Sequence, residues 1–152
     1  MKKFQFKLQR LLDIRAAKEK EIQNELAKVV SLQNKERNKQ KELADQMEQN
    51  KNIYSDKMRS KKFTPSDIIM YQHFVDMSLK AIEAAEQRIL NLEPQAEEIR
   101  SRLVVASREK RVVEKLKERQ YDEYMLEYNR EMSKENDDMN QNIFNRAKAL
   151  EI

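Results

Sequence analysis

The chain has no glycine and no cysteine, and only two of its 152 residues are proline. Without glycine it lacks the usual residue for tight turns and for phosphate-binding loops. Without cysteine it can form neither disulfides nor thiolate metal sites, which fits a reducing compartment. No apolar run approaches the roughly 18 residues of a membrane-spanning helix, and the N-terminus lacks the apolar segment of a signal peptide. We therefore expect a cytosolic protein without direct membrane insertion.

Apolar residues are also scarce, whereas charged residues are abundant. Hydrophobic residues make up 39% of the chain and charged residues 38%, compared with about 45–50% and about 25% in ordinary domains. This leaves too little apolar material for a thick core. Leucine, isoleucine, valine and methionine are nevertheless regularly spaced, which is not typical of a disordered chain. The composition favours long helices.

The apolar residues recur at steps of three and four, which predicts the seam of a coiled coil. The first segment carries the pattern at Leu8, Leu12, Ile22, Leu26 and Val29. The second carries it more regularly, at Ile68, Tyr71, Val75, Ile82, Ala85, Ile89, Leu92, Ala96, Ile99, Leu103, Ala106 and Val113. Ser78 and Lys110 are polar exceptions. Residues 33–42 contain no apolar side chain, so we expect the pairing to open most easily there.

The break between the two segments is the stretch "KKFTPSD" at residues 61–67. Thr64 suits a helix N-cap, Pro65 the first helical position, and Asp67 the acid of a capping box. A short connection between two apolar-striped helices makes them antiparallel neighbours. We therefore predict an all-α fold, a long antiparallel two-helix coiled coil or αα-hairpin. Its single domain covers residues 1–152, with helix 1 at about 4–60, a turn at about 60–65 and helix 2 at about 66–148.

The two predicted helices differ in length, so the C-terminal helix should overhang. Folding the chain about the turn places Phe4 near Tyr121, and the last thirty or so residues extend beyond the N-terminus. The overhang has no second helix to cover its apolar stripe, which implies a partner or self-association. Pro94 falls on the outward side of helix 2, where it is either a tolerated kink or a hinge.

Charge is distributed unevenly along the chain. The net charge is +8 over residues 1–62, −5 over 63–99, +5 over 100–119 and −4 over 120–152. Pairs between the basic first helix and the acidic start of the second would help to set the antiparallel register. A basic collar should form at the open end from Lys2, Lys3, Lys7, Arg10, Lys115, Lys117 and Arg119. It is either a solvated surface or a docking surface for an acidic protein. Nucleic acid is disfavoured, because no aromatic platform or zinc finger accompanies it.

Nothing in the sequence indicates catalysis. His73 is the only histidine, and it falls on the outward side of its helix without an evident carboxylate partner. The glutamates at helical spacing indicate solvated surfaces, because a two-helix hairpin encloses no water-excluded site. We predict no enzymatic activity, no catalytic residue, no metal site and no cofactor.

Four stretches, in order around the predicted turn, resemble one known family. They are "KKFQFKLQRLLDIRAAKEKEIQNELA" at 2–27, "YQHFVDMSLKAIE" at 71–83, "REKRVVEKLKERQ" at 108–120 and "EMSKENDDMNQNIFNRAK" at 131–148. Together they resemble the FliJ family of flagellar type III export proteins. The resemblance implies an antiparallel coiled coil like the central stalk of rotary ATPases, which inserts its joined ends into a hexameric export ATPase. It also implies contact with the cytoplasmic domain of the export gate and with export chaperones, at the cytoplasmic face of the membrane.

The same resemblance nominates two sets of residues. ATPase contact would fall at the open end, on Lys3, Phe4, Phe6, Leu8, Leu11, Leu12, Arg15, Lys115, Leu116, Lys117, Arg119, Tyr121, Met125 and Tyr128. Gate contact would fall near the turn, on Met47, Tyr54, Phe74 and Ala81, although Asn50 and Ala85 stand where some members carry a larger ring. Two alternatives remain open, a generic cytosolic coiled-coil scaffold and the equivalent stalk of a virulence type III secretion system.

Overall fold

The computed structural model describes residues 1–151, which form two α-helices and no strand. Helix α1 runs from Gln9 to Arg59 and helix α2 from Pro65 to Leu150. The helices pack against each other, which confirms the predicted all-α helical hairpin. Helix α1 begins at Gln9 and not at about residue 4, since residues 1–8 lie outside both helices. Helix α2 continues through Pro94, which is exposed.

The turn follows the capping chemistry that the sequence predicts. The Asp67 amide donates to Thr64 Oγ1 at 3.3 Å, and the Thr64 amide donates to Asp67 Oδ2 at 3.2 Å. These hydrogen bonds hold the pKa of Asp67 below its ordinary value of 3.8. After α1 ends, Lys61 takes a left-handed backbone with φ of 55°, a conformation that glycine adopts at helix ends with less strain.

The chain divides into two compact units. The first contains Met1–Glu19 and the described residues from Val105 onward, and the second contains Lys20–Val104. We describe each unit separately, and a single coiled-coil domain stays a prediction.

In the second unit, the predicted heptad positions form the seam. The buried apolar side chains there are Ile22, Val29, Ala85, Ile89, Ala96 and Ile99. Alanine at two of these positions has little side chain to hold the helices apart, so the backbones can approach closely. Ile68 departs from the pattern and is largely exposed.

Glutamine continues the seam through the polar stretch at residues 33–42. Gln33 is only 1% exposed, and its Nε2 donates to the Ile89 carbonyl at 3.4 Å and to Glu93 Oε2 at 2.9 Å. One heptad later, Gln40 Nε2 donates to the Ile82 carbonyl at 3.1 Å and to Glu86 Oε2 at 3.0 Å. The stretch therefore joins the helices by repeated polar contacts. The pattern of apolar residues could not predict these contacts, because glutamine occupies the seam there.

Ion pairs between the helices have the opposite polarity to our expectation. Arg88 Nε lies 3.0 Å from Glu36 Oε2, and Arg102 Nη2 lies 2.7 Å from Glu25 Oε2. In both pairs the acid is on α1 and the base on α2, although α1 is the more basic helix. The reason is local, because only side chains beside the seam can reach across it. The hydrogen bond from Arg88 lowers the pKa of Glu36 from 4.5.

Candidate partner-binding surfaces

The N-terminal segment, residues 1–8, packs on α2 in the first unit. Phe6 and Leu12 are buried against Val113, with Phe4 and Leu11 packed around them. Gln5 and Lys7 are exposed while Phe6 is buried and Phe4 half-buried, so alternate side chains face the helix. This period of two differs from helical spacing. It places two phenylalanines on α2 where a helix would direct them to different sides.

An aromatic ladder, formed by Phe4, Tyr121, Tyr124 and Tyr128, lies beside this segment. The Phe4 ring is 5.3 Å from Tyr121 and 5.6 Å from Tyr124 between centroids, which confirms that Phe4 lies near Tyr121. Tyr124 Oη donates to the Lys2 carbonyl at 2.8 Å. Tyr124 stacks on Tyr128 at 6.2 Å. The ladder therefore fixes the N-terminal segment while leaving Tyr121 and Tyr128 partly exposed.

Several of the cations at this end are already engaged within the unit. Lys117 Nζ donates to Gln9 Oε1 at 2.7 Å, and Arg15 Nη1 donates to the Glu109 carbonyl at 2.8 Å. Arg119 forms an exposed ion pair with Glu123 at 3.7 Å. Of the basic collar, Lys117 and Arg119 therefore make contacts within the unit, and Arg119 has a carboxylate partner.

Lys110 occupies a seam position as a charged residue. Its Nζ lies 3.3 Å from Glu19 Oε2 and 3.6 Å from Glu114 Oε1. The hydrogen bond to Glu19 raises the pKa of Lys110 above its ordinary value. A cation in the apolar seam is thus compensated by two carboxylates.

Beyond Tyr128 the apolar pattern of α2 continues without cover. Every described side chain from residue 129 onward is exposed. Apolar residues recur along one side of this tail, at Met132, Met139, Ile143 and Leu150. Their spacing of seven, four and seven keeps them on one side of the helix. This is the uncovered stripe that the predicted overhang implied.

The turn end of the second unit carries a groove of about 240 Å³ between the helices. Tyr54 forms its aromatic floor, stacking on Tyr71 at 4.2 Å and meeting Phe63 edge-on at 5.0 Å. Ile53 and Met70 line the groove and are 55% and 68% exposed. The groove also includes Asn50, Lys57, Asp67 and Phe74. Its apolar side chains can contact a partner without rearrangement.

Comparison with known proteins decides the family. A family model described as "Flagellar FliJ protein" matches residues 4–149. The chain belongs to the FliJ family. No curated protein and no solved structure matches it. Membership makes the chain a component related to flagellar protein export, in a family of non-catalytic proteins.

The FliJ-type residues nominated at the open end are not all available to a partner. Phe6 and Leu12 are buried in the core of their unit, so their role there is to hold the N-terminal segment. Phe4, Leu11 and Met125 are half-buried, whereas Lys3, Leu8, Lys115 and Leu116 are exposed. A partner that binds this end therefore contacts mainly the exposed residues among those nominated.

The FliJ-type residues nominated near the turn fall into separate places. Tyr54 and Phe74 line the turn groove. Ala81 lines a neighbouring groove of about 360 Å³ with Leu43 and Ala85, and Met47 is half-buried. Sequence reasoning missed Ile53 and Met70, which lie off the heptad seam. The signal that could have found them is their position one residue before Tyr54 and one before Tyr71.

No helix within the described residues is long and apolar enough to cross a bilayer. The same part of the chain contains no group of three or more histidine, aspartate or glutamate side chains arranged to hold a metal ion. This FliJ-family chain has two candidate sites. One is the tail stripe, the apolar side of α2 from Met125 onward, and the other is the turn groove, which Tyr54, Ile53 and Met70 line.

Proposed function

We propose that this protein is a non-enzymatic, stalk-like component of the flagellar type III export apparatus. Its open end inserts into the hexameric export ATPase and promotes the assembly and activity of that hexamer. Its turn end links the ATPase to the cytoplasmic domain of the export gate, and the protein also handles export chaperones. The observation that carries the proposal is the presence of two separate apolar surfaces, one at each nominated contact region, on a member of the FliJ family.

At the open end, the exposed side chains suit burial in a narrow channel. Leu116, Tyr121 and Tyr128 are partly exposed beside the N-terminal segment. Burying such surface contributes about 25 cal/mol per Å², so these residues would supply most of the free energy of binding to the ATPase. The exposed Lys3 and Lys115 would attract acidic groups at the channel mouth. Charges of this kind affect the rate of encounter more than final affinity.

At the turn end, the groove offers an apolar lining to the gate. Ile53 and Met70 stand at the surface over the aromatic floor. The groove and the open end use different residues, so one chain can join the ATPase to the gate. Such a link places the protein in the cytoplasm, at the cytoplasmic face of the membrane at the flagellar base.

The test measures both interactions of each variant. Leu116→Asp with Tyr128→Asp should weaken binding and stimulation of the export ATPase by at least about tenfold, because a charge is costly to bury in an apolar contact. Ile53→Asp with Met70→Asp should weaken gate binding and spare the ATPase. Each variant is the control for the other. If neither partner binds the unaltered chain, or if all four substitutions leave both interactions intact, the proposal is wrong.

A further inference from the structure

The tail stripe consists of Met125, Tyr128, Met132, Met139, Ile143 and Leu150. Met125 is half-buried and the other five side chains are exposed. Ile143 is 62% exposed and Leu150 is 88% exposed. Exposure of such apolar side chains to water is unfavourable, and burying them against a partner would lower the free energy. The stripe lies wholly in the first unit, and from Met132 onward all of its side chains are exposed along α2.

The order of residues along the stripe is nearly the same from either end. Met125 matches Leu150, Met132 matches Ile143 and Asn136 matches Met139, whereas Tyr128 matches the small Ala147. Such a pattern is largely self-complementary under a twofold axis between Asn136 and Met139. Two copies placed antiparallel then set large apolar side chains against large ones at the Met125–Leu150 and Met132–Ile143 positions, in an isologous contact.

We propose that a second copy of this chain pairs antiparallel with the first along the tail stripe. Met132 of one copy packs on Ile143 of the other, and Met125 packs on Leu150, each contact occurring twice. The stripe contains three heptad steps and one step of four residues, which matches the length of a short antiparallel coiled coil. Asn136 near the twofold axis limits the affinity, because a buried amide costs stability unless it is satisfied.

The charges beside the stripe favour this orientation. Before Met139, acidic residues outnumber the basic Arg130 and Lys134, whereas the basic Arg146 and Lys148 follow it. The acidic residues are Glu127, Glu131, Glu135, Asp137 and Asp138. In antiparallel pairing, Arg146 of one copy lies beside Glu131 of the other. In parallel pairing, Glu131 faces Glu131 and Arg146 faces Arg146. Charge complementarity at such flanking positions sets the orientation of coiled coils.

This pairing goes beyond the role in export, and it uses part of the surface assigned above to the ATPase. The dimer is therefore the form of the protein that is not bound to the ATPase. An ATPase that takes the open end competes with the second copy, so pairing should be reversible. We expect a dissociation constant on the order of micromolar for so short an interface.

Sedimentation velocity of the full-length chain tests the pairing. The unaltered chain should pass from monomer to dimer as its concentration rises. Ile143→Glu should raise the dissociation constant at least about tenfold, because it places a carboxylate in the apolar contact. Val112→Glu is the matched control, since Val112 is β-branched, 65% exposed and outside the tail. A monomer at every concentration, or equal loss in the control, would overturn the proposal.

Charge variants test the orientation, because parallel pairing faces each residue with its own copy, and a single charge reversal would leave that like-charge repulsion unchanged. In an antiparallel dimer of Glu131→Arg chains, the introduced arginine lies beside Arg146 of the other copy. In a dimer of Arg146→Glu chains, the introduced glutamate lies beside Glu131 of the other copy. Each variant should therefore self-associate weakly. Mixing the two restores both attractive pairs, and a heterodimer should form. Residues 131 and 146 are four turns apart on one helix, so recovery can only come from contact between copies. Failure of the mixture to recover would contradict antiparallel pairing.

Disulfide trapping is a second test of the orientation. Introduced cysteines can crosslink only with each other, because the chain has no cysteine of its own. Met132→Cys mixed with Ile143→Cys should yield a crosslinked heterodimer. Met139→Cys alone should crosslink poorly, since it faces Asn136 of the other copy. Efficient Met139→Cys homodimers would indicate parallel pairing and overturn the proposal. None of these tests involves the ATPase, so their failure leaves the proposed export role untouched.

Discussion

Gln33 on α1 donates a hydrogen bond to the Glu93 carboxylate on α2 at 2.9 Å, and it is almost completely buried while doing so. Gln40 makes the equivalent contact with Glu86 one heptad further along. If α1 slid by one heptad, Gln33 would face Glu86, but Gln40 would face Leu79, which has no acceptor. The two glutamines therefore select one register in a seam whose apolar residues repeat too regularly to do so.

Replacing Gln33 with leucine should raise the free energy of unfolding by about 1 kcal/mol. A buried polar contact often contributes less than an apolar residue of similar size. The Ile89 carbonyl keeps its place in α2, and Glu93 keeps its ion pair with Arg100. Urea denaturation measures the change, and Asn38→Leu, at an exposed position, should change stability by less than about 0.5 kcal/mol. A loss of stability in Gln33→Leu would show that the hydrogen bonds outweigh the packing.

Lys61→Gly should stabilise the chain by about 1 kcal/mol. Lys61 holds φ at 55°, and a left-handed conformation costs a residue with a Cβ about 1–2 kcal/mol. The gain is partly offset, because glycine increases the entropy of the unfolded chain. Lys62→Gly is the control. It carries the same entropy cost without relief of strain, so its thermal midpoint should fall or stay level. Equal effects at both positions would contradict the explanation.

The capping box should make stability depend on pH at the acid limb. Hydrogen bonds from Thr64 lower the pKa of Asp67 in the folded chain from 3.8. The stability it provides is therefore present above pH 3.8 and is lost as the pH falls through the lower folded value. Asp67→Asn should be less stable than the unaltered chain at neutral pH, and the difference should shrink below that range. Asp76→Asn, at an exposed position in α2, should show no such convergence.

The fold follows from the sequence where one signal dominates. Heptad spacing located the seam of α2, because buried positions in a two-helix pair must repeat with the helix. Thr64, Pro65 and Asp67 located the start of α2, because an N-cap depends on local hydrogen bonds. The N-terminal segment differs from the prediction of a helix from about residue 4. The alternation of Phe4 and Phe6 suits a non-helical segment, in which Phe4 packs on tyrosines of α2 and Phe6 on Val113.

The candidate surfaces were less predictable than the seam. The family resemblance nominates Tyr54 and Phe74, but neither it nor the heptad pattern indicates the exposed Ile53 and Met70. The resemblance also nominates Phe6 and Leu12 as contact residues, although they are buried. For residues 33–42, composition suggested weak pairing, yet Gln33 makes specific contacts there. Whether this stretch opens first stays a prediction for hydrogen exchange.

The turn groove can be tested without disturbing the fold. Ile53→Asp places a charge at an exposed lining position and should lower gate affinity at least about tenfold, while the thermal midpoint stays unchanged. Tyr54→Ala should also weaken gate binding but lower stability, because Tyr54 packs on Tyr71 and Phe63. Binding is measured by titration calorimetry with the cytoplasmic domain of the gate. Gate binding that survives Ile53→Asp would move the contact away from this groove.

Two truncations separate the anchoring of the N-terminal segment from the role of the tail. Among the residues that the structure describes, a chain ending at Arg130 loses only exposed side chains, so its free energy of unfolding should stay within about 0.5 kcal/mol of the full chain. A chain ending at Arg119 also loses Tyr121 and Tyr124, on which Phe4 packs. It should be about 1–3 kcal/mol less stable, because aromatic contacts and buried area are lost together. Near-ultraviolet circular dichroism and urea denaturation measure both chains. If the shorter chain were as stable as the longer one, the tyrosines would not be what holds residues 1–8. If it remained folded and still stimulated the export ATPase normally, insertion of this end would be wrong.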